Sequence, residues 1–220
     1  QQSMASASTL RITEIFHSLQ GESRTVGIPT VFIRLTGCPL RCQYCDTAYA
    51  FEGGELMELD AISAALAEFA CDYVTVTGGE PLAQPNCLPL LQRLSDEGYQ
   101  VSLETSGAMP IEQVDKRVSI VMDLKTPASN ESDKNRYENI AHLKAIDQVK
   151  FVICDEKDYQ WSKAKLDQYD LASRVNEILF SPSFEEIEPA QLAEWILRDK
   201  LKIRMQMQLH KQIWGSVAGK

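Results

Sequence analysis

From residue 10 onward two periods alternate along the chain. Runs of β-branched and aromatic residues that repeat every second position give way to apolar residues spaced i, i+3, i+4 and i+7. The first kind predicts strands over residues 10–16, 31–35, 73–77, 100–104, 119–124, 148–153, 177–180 and 203–209. The second predicts helices from residue 59 with Asp60 capping its first turn, over the Leu88, Leu91 and Leu94 segment stopped at Gly98, after Pro110, over 135–145, over 158–169, and from Pro189. Strands separated by crossovers of a dozen or more residues pair in parallel, with helices packed outside. About six such units fall short of a closed eight-unit barrel of about 250 residues. The expected fold class is therefore α/β, an open, partial parallel β/α barrel.

Parallel α/β sheets place ligands at the carboxyl ends of their strands. After the strand at 31–35 comes Gly37-Cys38-Pro39-Leu40-Arg41-Cys42-Gln43-Tyr44-Cys45-Asp46-Thr47, with three thiols inside eight residues. A structural zinc site is normally closed by four protein ligands. Three thiolates instead leave one iron of an iron–sulfur cube open to a substrate or cofactor. Other predicted strand ends carry Thr77-Gly78-Gly79-Glu80-Pro81, Glu104-Thr105-Ser106-Gly107, Asp123-Leu124-Lys125, Ser181-Pro182-Ser183 and His210-Lys211. Each has a plain reading alone: a tight turn, a solvated carboxylate, a surface imidazole. Arg34 is harder to dismiss, because a guanidinium inside an apolar strand calls for an anion.

The totals narrow the class further. With 22 basic and 31 acidic residues the net charge is −9, and no basic run stands out. Binding to nucleic-acid phosphates is disfavoured, while a local basic pocket for a small anion is not. Of six cysteines, Cys71, Cys87 and Cys154 are scattered in apolar surroundings and read as buried hydrophobes. That usage fits a reducing, cytoplasmic setting. Residues 1–9 read as a polar, flexible tail without the character of a signal peptide, and residues 10–220 as a single domain. No apolar run reaches the length of a membrane span.

The C-x3-C-x2-C loop after one strand and Gly-Gly-Glu-Pro after the next resemble the radical S-adenosylmethionine (SAM) enzymes. Ser18-Leu19-Gln20-Gly21-Glu22, Phe32-Ile33-Arg34-Leu35, Cys45-Asp46-Thr47, Glu104-Thr105-Ser106-Gly107 and Gln206-Met207-Gln208-Leu209-His210-Lys211 resemble one family within them, the 7-carboxy-7-deazaguanine synthases of queuosine and deazapurine biosynthesis. The resemblance implies ring contraction of 6-carboxy-5,6,7,8-tetrahydropterin to 7-carboxy-7-deazaguanine with loss of ammonia. It also implies a [4Fe-4S] cluster, SAM and Mg2+, an external electron donor of the flavodoxin or ferredoxin type, and a homodimer.

Carried over by the same resemblance, Cys38, Cys42 and Cys45 hold the cluster and Thr47 the Mg2+. Tyr44, Cys45, Asp46, Gly78, Gly79, Glu80, Asp123, Leu124, Lys125, Ser181, Pro182, Ser183 and Phe184 contact SAM. Leu19, Gln20, Gly21, Glu22, Arg34, Thr77, Glu104 and His210 bind the pterin, and Glu104 or His210 moves a proton. Two other readings remain at this point: an activase that places a glycyl radical on a partner protein, and a non-enzymatic electron carrier or zinc module. An activase needs an open face for a polypeptide, and a carrier normally closes its cluster with a fourth cysteine.

Overall fold

In the computed structural model, residues 8–220 are described. Residues 1–7, most of the expected tail, lie outside them. The elements run β1 (Thr9–Leu19), β2 (Pro29–Leu35), β3 (Glu55–Glu58), α1 (Leu59–Ala67), β4 (Tyr73–Gly78), α2 (Cys87–Asp96), β5 (Gln100–Thr105), β6 (Ser119–Asp123), β7 (Gln148–Ile153), α3 (Glu156–Gln168), α4 (Leu171–Arg174), β8 (Glu177–Pro182), α5 (Pro189–Arg198), β9 (Arg204–Met205) and α6 (Leu209–Trp214). Among the described residues nine strands form one sheet in the order β3-β1-β2-β4-β5-β6-β7-β8-β9. From β2 to β9 every pairing is parallel, while β1 runs antiparallel to both β2 and β3. Strands β3 and β9 are its two edges and do not pair with each other, so the sheet does not close.

Burial follows the residue pattern. In β2 Val31, Phe32, Ile33 and Leu35 are buried and Arg34 is only partly so; Leu90, Leu91 and Leu94 are the inward stripe of α2, and Leu192 and Ile196 that of α5. Asp155 caps α3 by accepting from the Asp158 amide at 2.8 Å. No helix among the described residues is long and apolar enough to cross a membrane.

Register is what gathers the polar residues. Across the parallel ladder Arg34 lies opposite Thr77, Leu35 opposite Gly78, and Asp123 opposite Lys150. Side chains far apart in sequence therefore share one end of the sheet.

Several expectations are corrected. The segment 135–145 is not an α-helix but 3-10 turns at Ser132–Lys134 and Tyr137–His142. Its asparagines are spent on neighbouring backbone: Asn135 bonds the N–H and C=O of Lys125, and Asn139 bonds Ile111, Gly107 and Met109. After Pro110 there is a turn that buries Ile111 and Val114, too short for a helix. The strand expected at 203–209 pairs only over Arg204–Met205, and Leu209 already opens α6, its N–H bonded to the Gly21 carbonyl at 2.9 Å. Asp60 does not cap α1; Glu58 occupies that position and Asp60 pairs with Arg93. Strand β3 went unread because it is acidic, largely exposed and at the sheet edge.

Candidate active site

Beyond the carboxyl ends of the parallel strands lies a cavity of about 530 Å³, within the usual range for small-molecule sites. Of the residues to which the resemblance gives a role in binding cluster, metal, SAM or substrate, all border it except Glu80 and Leu124. Leu124 is core, and its N–H donates to the Lys150 carbonyl. Glu80 is fully buried beneath the turn that follows β4. It accepts from the N–H of Leu82 (2.9 Å), the hydroxyl of Thr105 (2.7 Å) and both the N–H (2.6 Å) and the hydroxyl of Ser106 (2.9 Å). Those bonds tie β4 to β5 and engage both carboxylate oxygens with protein donors.

At one end of the cavity stands the cysteine loop. All six cysteines are free; Cys38, Cys42 and Cys45 border the cavity, while Cys71, Cys87 and Cys154 do not. Burial pushes the Cys42 thiol up to about 11 and raises that of Cys38. Both thiols therefore stay protonated until a metal displaces the protons. Among the described residues no three His, Cys, Asp or Glu side chains converge on a single ion. Three soft, half-buried thiols around a common space fit an iron–sulfur cluster by donor type.

Gly78 and Gly79 are required by packing of the turn against that loop. A Cβ at Gly78 would lie 2.4 Å from the Leu35 carbonyl oxygen, and one at Gly79 would lie 2.3 Å from the Gly37 oxygen and 2.6 Å from the Cys38 Cβ. Next to them, Asp123 pairs with Lys125 at 2.9 Å, and the Lys125 ammonium sits 5.5 Å from the centre of the Tyr44 ring. The Tyr44 hydroxyl and the Asp123 Oδ1 are buried without a hydrogen-bond partner. Orphaned polar atoms in a cavity wall are what a polar ligand would satisfy.

The other end is built on β1, β2 and the loop between them. The Nε of Arg34 is bound to Glu14 at 2.7 Å, Tyr49 donates to the same carboxylate, and the guanidinium lies between the Phe16 and Tyr49 rings. With Nε taken, the two terminal nitrogens are left for an end-on, two-pronged contact with an anion. Gln20 is buried, donating to Thr75 at 3.1 Å and accepting from the Glu22 N–H at 3.2 Å. Thr77 donates to Glu104 at 3.1 Å. Burial and the charge of Glu22 push the Glu104 carboxyl up.

Helix α6 closes this end. Burial holds the His210 imidazole below its ordinary pKa against the pull of Glu22 and Asp46, so it is neutral near pH 7. Asp46 pairs with Lys211 at 3.0 Å and accepts from Gln208 at 3.4 Å, which ties the helix to the cysteine loop. A Cβ at Gly21 would fall 1.8 Å from the His210 Nδ1. Gly21→Ala should therefore expel the imidazole, costing about 1–3 kcal/mol by overpacking. The variant's melting temperature should fall by about 2–12 °C, which thermal denaturation followed by circular dichroism checks.

Lys150, Lys211, Gln208, Glu14 and Tyr49 belong to the site or its support and were not singled out from the sequence for a role. For Lys150 the signal was there: it is a charge within an apolar strand, as Arg34 is.

Comparison with known proteins identifies the family. The sequence model described as "Radical SAM superfamily" matches residues 32–127. The 7-carboxy-7-deazaguanine synthase of Koribacter versatilis is 42% identical over 219 residues, covering 93% of this chain and 97% of that one. That of Chlorobaculum tepidum is 42% identical over 215 residues, covering 96% and 97%. In fold, the crystal structure of QueE from Escherichia coli matches with a TM-score of 0.73 at 22% identity over 92% of this chain and 95% of that one. Streptococcus suis SuiB bound to precursor peptide SuiA matches with 0.58 at 14%, over 78% and 46%. At 42% identity over nearly its whole length, the chain belongs to the 7-carboxy-7-deazaguanine synthase family, within the radical SAM superfamily.

Proposed function

We propose that this chain converts 6-carboxy-5,6,7,8-tetrahydropterin into 7-carboxy-7-deazaguanine and ammonia. The observation that carries the reading is that three open-ended thiols and a guanidinium with free terminal nitrogens face one cavity. A bound [4Fe-4S] cluster and SAM supply the one-electron chemistry. Cys38, Cys42 and Cys45 hold the cluster, and Gly78 and Gly79 bring backbone to the methionine end of SAM. Tyr44, Asp46, Asp123, Lys125, Ser181, Pro182, Ser183 and Phe184 surround its nucleoside, and the orphaned atoms of Tyr44 and Asp123 give two of them a reason to do so.

Arg34 grips the pterin carboxylate, held in place by Glu14. Leu19, Gln20, Gly21, Glu22 and Thr77 read the ring edge. Glu104 and neutral His210 are the groups able to carry a proton there. The Thr47 hydroxyl, 3.8 Å from the Cys45 sulfur, would offer a hard oxygen to a bound Mg2+. The electron comes from an external donor of the flavodoxin or ferredoxin type, and the working form is a homodimer, both on the strength of the family resemblance.

The test is anaerobic incubation of the iron-loaded protein with SAM, Mg2+, a reductant and the carboxypterin. Formation of the deazaguanine acid is expected. Cleavage of SAM without it would reject the synthase reading and retain the superfamily.

A further inference from the structure

We propose that Lys150 is a positioning residue for the pterin. Its ammonium, 3.2 Å from Glu22, sets that carboxylate in the cavity it shares with Glu104 and offsets the repulsion between the two, so that the ligand's N–H edge meets two acceptors. The inference rests on the proposed function and adds a residue to it.

The charges at this end of the cavity carry the argument. Lys150 projects from β7, whose neighbours Val149 and Phe151 are fully buried, and its side chain is 13% exposed. It lies 3.2 Å from Glu22, itself 15% exposed, and borders the same cavity as Glu104. Glu22 acts on Glu104 across that cavity, and with the cation removed this repulsion favours a proton on Glu104. Around Glu104 the acting charges are Glu22, which raises its pKa, and Lys150 and Arg34, which oppose that rise.

The remaining neighbours are already engaged. Arg34 is bound to Glu14, Asp123 and Lys125 pair with each other, and Asp46 pairs with Lys211. His210 faces Glu22 as a neutral ring. Burial works against the Lys150 ammonium, but Glu22, Asp123 and Glu104 outweigh it and hold its pKa above the ordinary lysine value. Lys150 therefore stays charged through the neutral range, as the role demands.

A protonated carboxyl would turn one acceptor into a donor facing the ring N–H groups. The consequence is pH-dependent binding once the cation is removed. The test is equilibrium binding of 6-carboxypterin to cluster-loaded protein with SAM and Mg2+, read by ligand fluorescence. Each variant is expressed relative to wild type at each pH, which cancels the ligand's own titration.

Lys150→Met should bind about tenfold more weakly near pH 6 and recover most of the loss by about pH 8, while Lys150→Arg stays level with wild type. The double variant Glu22→Gln with Lys150→Met removes the repulsion together with the cation. It should show no pH trend and melt higher than Lys150→Met alone, because deleting one partner of a buried pair costs more than deleting both.

Equal weakening of Lys150→Met at every pH would make Lys150 a direct ligand contact or a merely structural residue and overturn the proposal, as would unchanged binding. Should Lys150→Met fail to fold, a double variant that fails equally would also overturn it. Wild-type protein that does not take up the pterin would reject the proposed function and this inference with it. Wild-type binding alongside an unaffected Lys150→Met rejects the inference alone.

Discussion

Replacing Cys38, Cys42 or Cys45 by serine, one at a time, is expected to leave purified, anaerobically reconstituted protein without its broad visible absorption and without bound iron, and to abolish turnover. The expectation follows from ligand number. Three loop thiols border the cavity and the three other cysteines do not, so no other thiol is placed to substitute for a lost thiolate. A serine hydroxyl is a hard, weakly acidic donor that does not replace sulfur on iron.

Cys87→Ala is the matching control. That thiol is buried in α2, among Leu90 and Leu91, and its removal should cost stability through the small void it leaves while iron content stays that of wild type. Full iron in a loop variant, or iron lost in the Cys87 control, would contradict the assignment of the three loop thiols.

The two outcomes show what a sequence discloses about such a site. The thiols and the glycine turn were legible because each is a compact motif on a predicted strand end, where local spacing alone carries the chemistry. Arg34 was legible as a charge in an apolar strand. Its partner Glu14 was not, because their contact is set by the antiparallel register of β1 and β2, which aligns residues twenty apart and includes an irregularity between Ile12 and Glu14. Lys150 on β7 meets Glu22, in the loop after β1, across 128 residues and between elements that do not pair in the sheet, a contact that local spacing does not show. The α-helix expected at 135–145 failed where asparagine side chains outcompeted the helix for backbone partners. The alternation from Ile203 to Leu209 continues past Met205, where β9 stops pairing, so the expected strand runs on to the first residue of α6.

Glu80 separates a ligand contact from a keystone of the fold, and the substitution Glu80→Gln does so with almost no change of shape. Two backbone N–H groups that cannot reorient point at this carboxylate, Ser106 at Oε1 and Leu82 at Oε2. A glutamine has one carbonyl oxygen, so whichever way its amide turns, an NH2 faces one of those N–H groups. The expected cost is about 1–3 kcal/mol for one buried donor left unpaired. Glu80→Ala strands both donors along with the Thr105 and Ser106 hydroxyls, and should cost about 3–5 kcal/mol, the range seen when one side of a buried charged network is removed. For a chain of this size each kcal/mol lowers the melting temperature by about 2–4 °C. Alanine should therefore melt roughly 6–20 °C below wild type, with glutamine between them. The loss should be the same with and without SAM, because the carboxylate is fully buried and bonded to protein alone. Were Glu80 a contact to the methionine ammonium, the melting temperature without SAM would hold and only SAM affinity would fall. Unchanged melting of Glu80→Ala in the absence of SAM would return it to the cavity wall. The hydrogen bonds it accepts predict the opposite, since they bind the strand ends that present Gly78 and Gly79 to the cysteine loop.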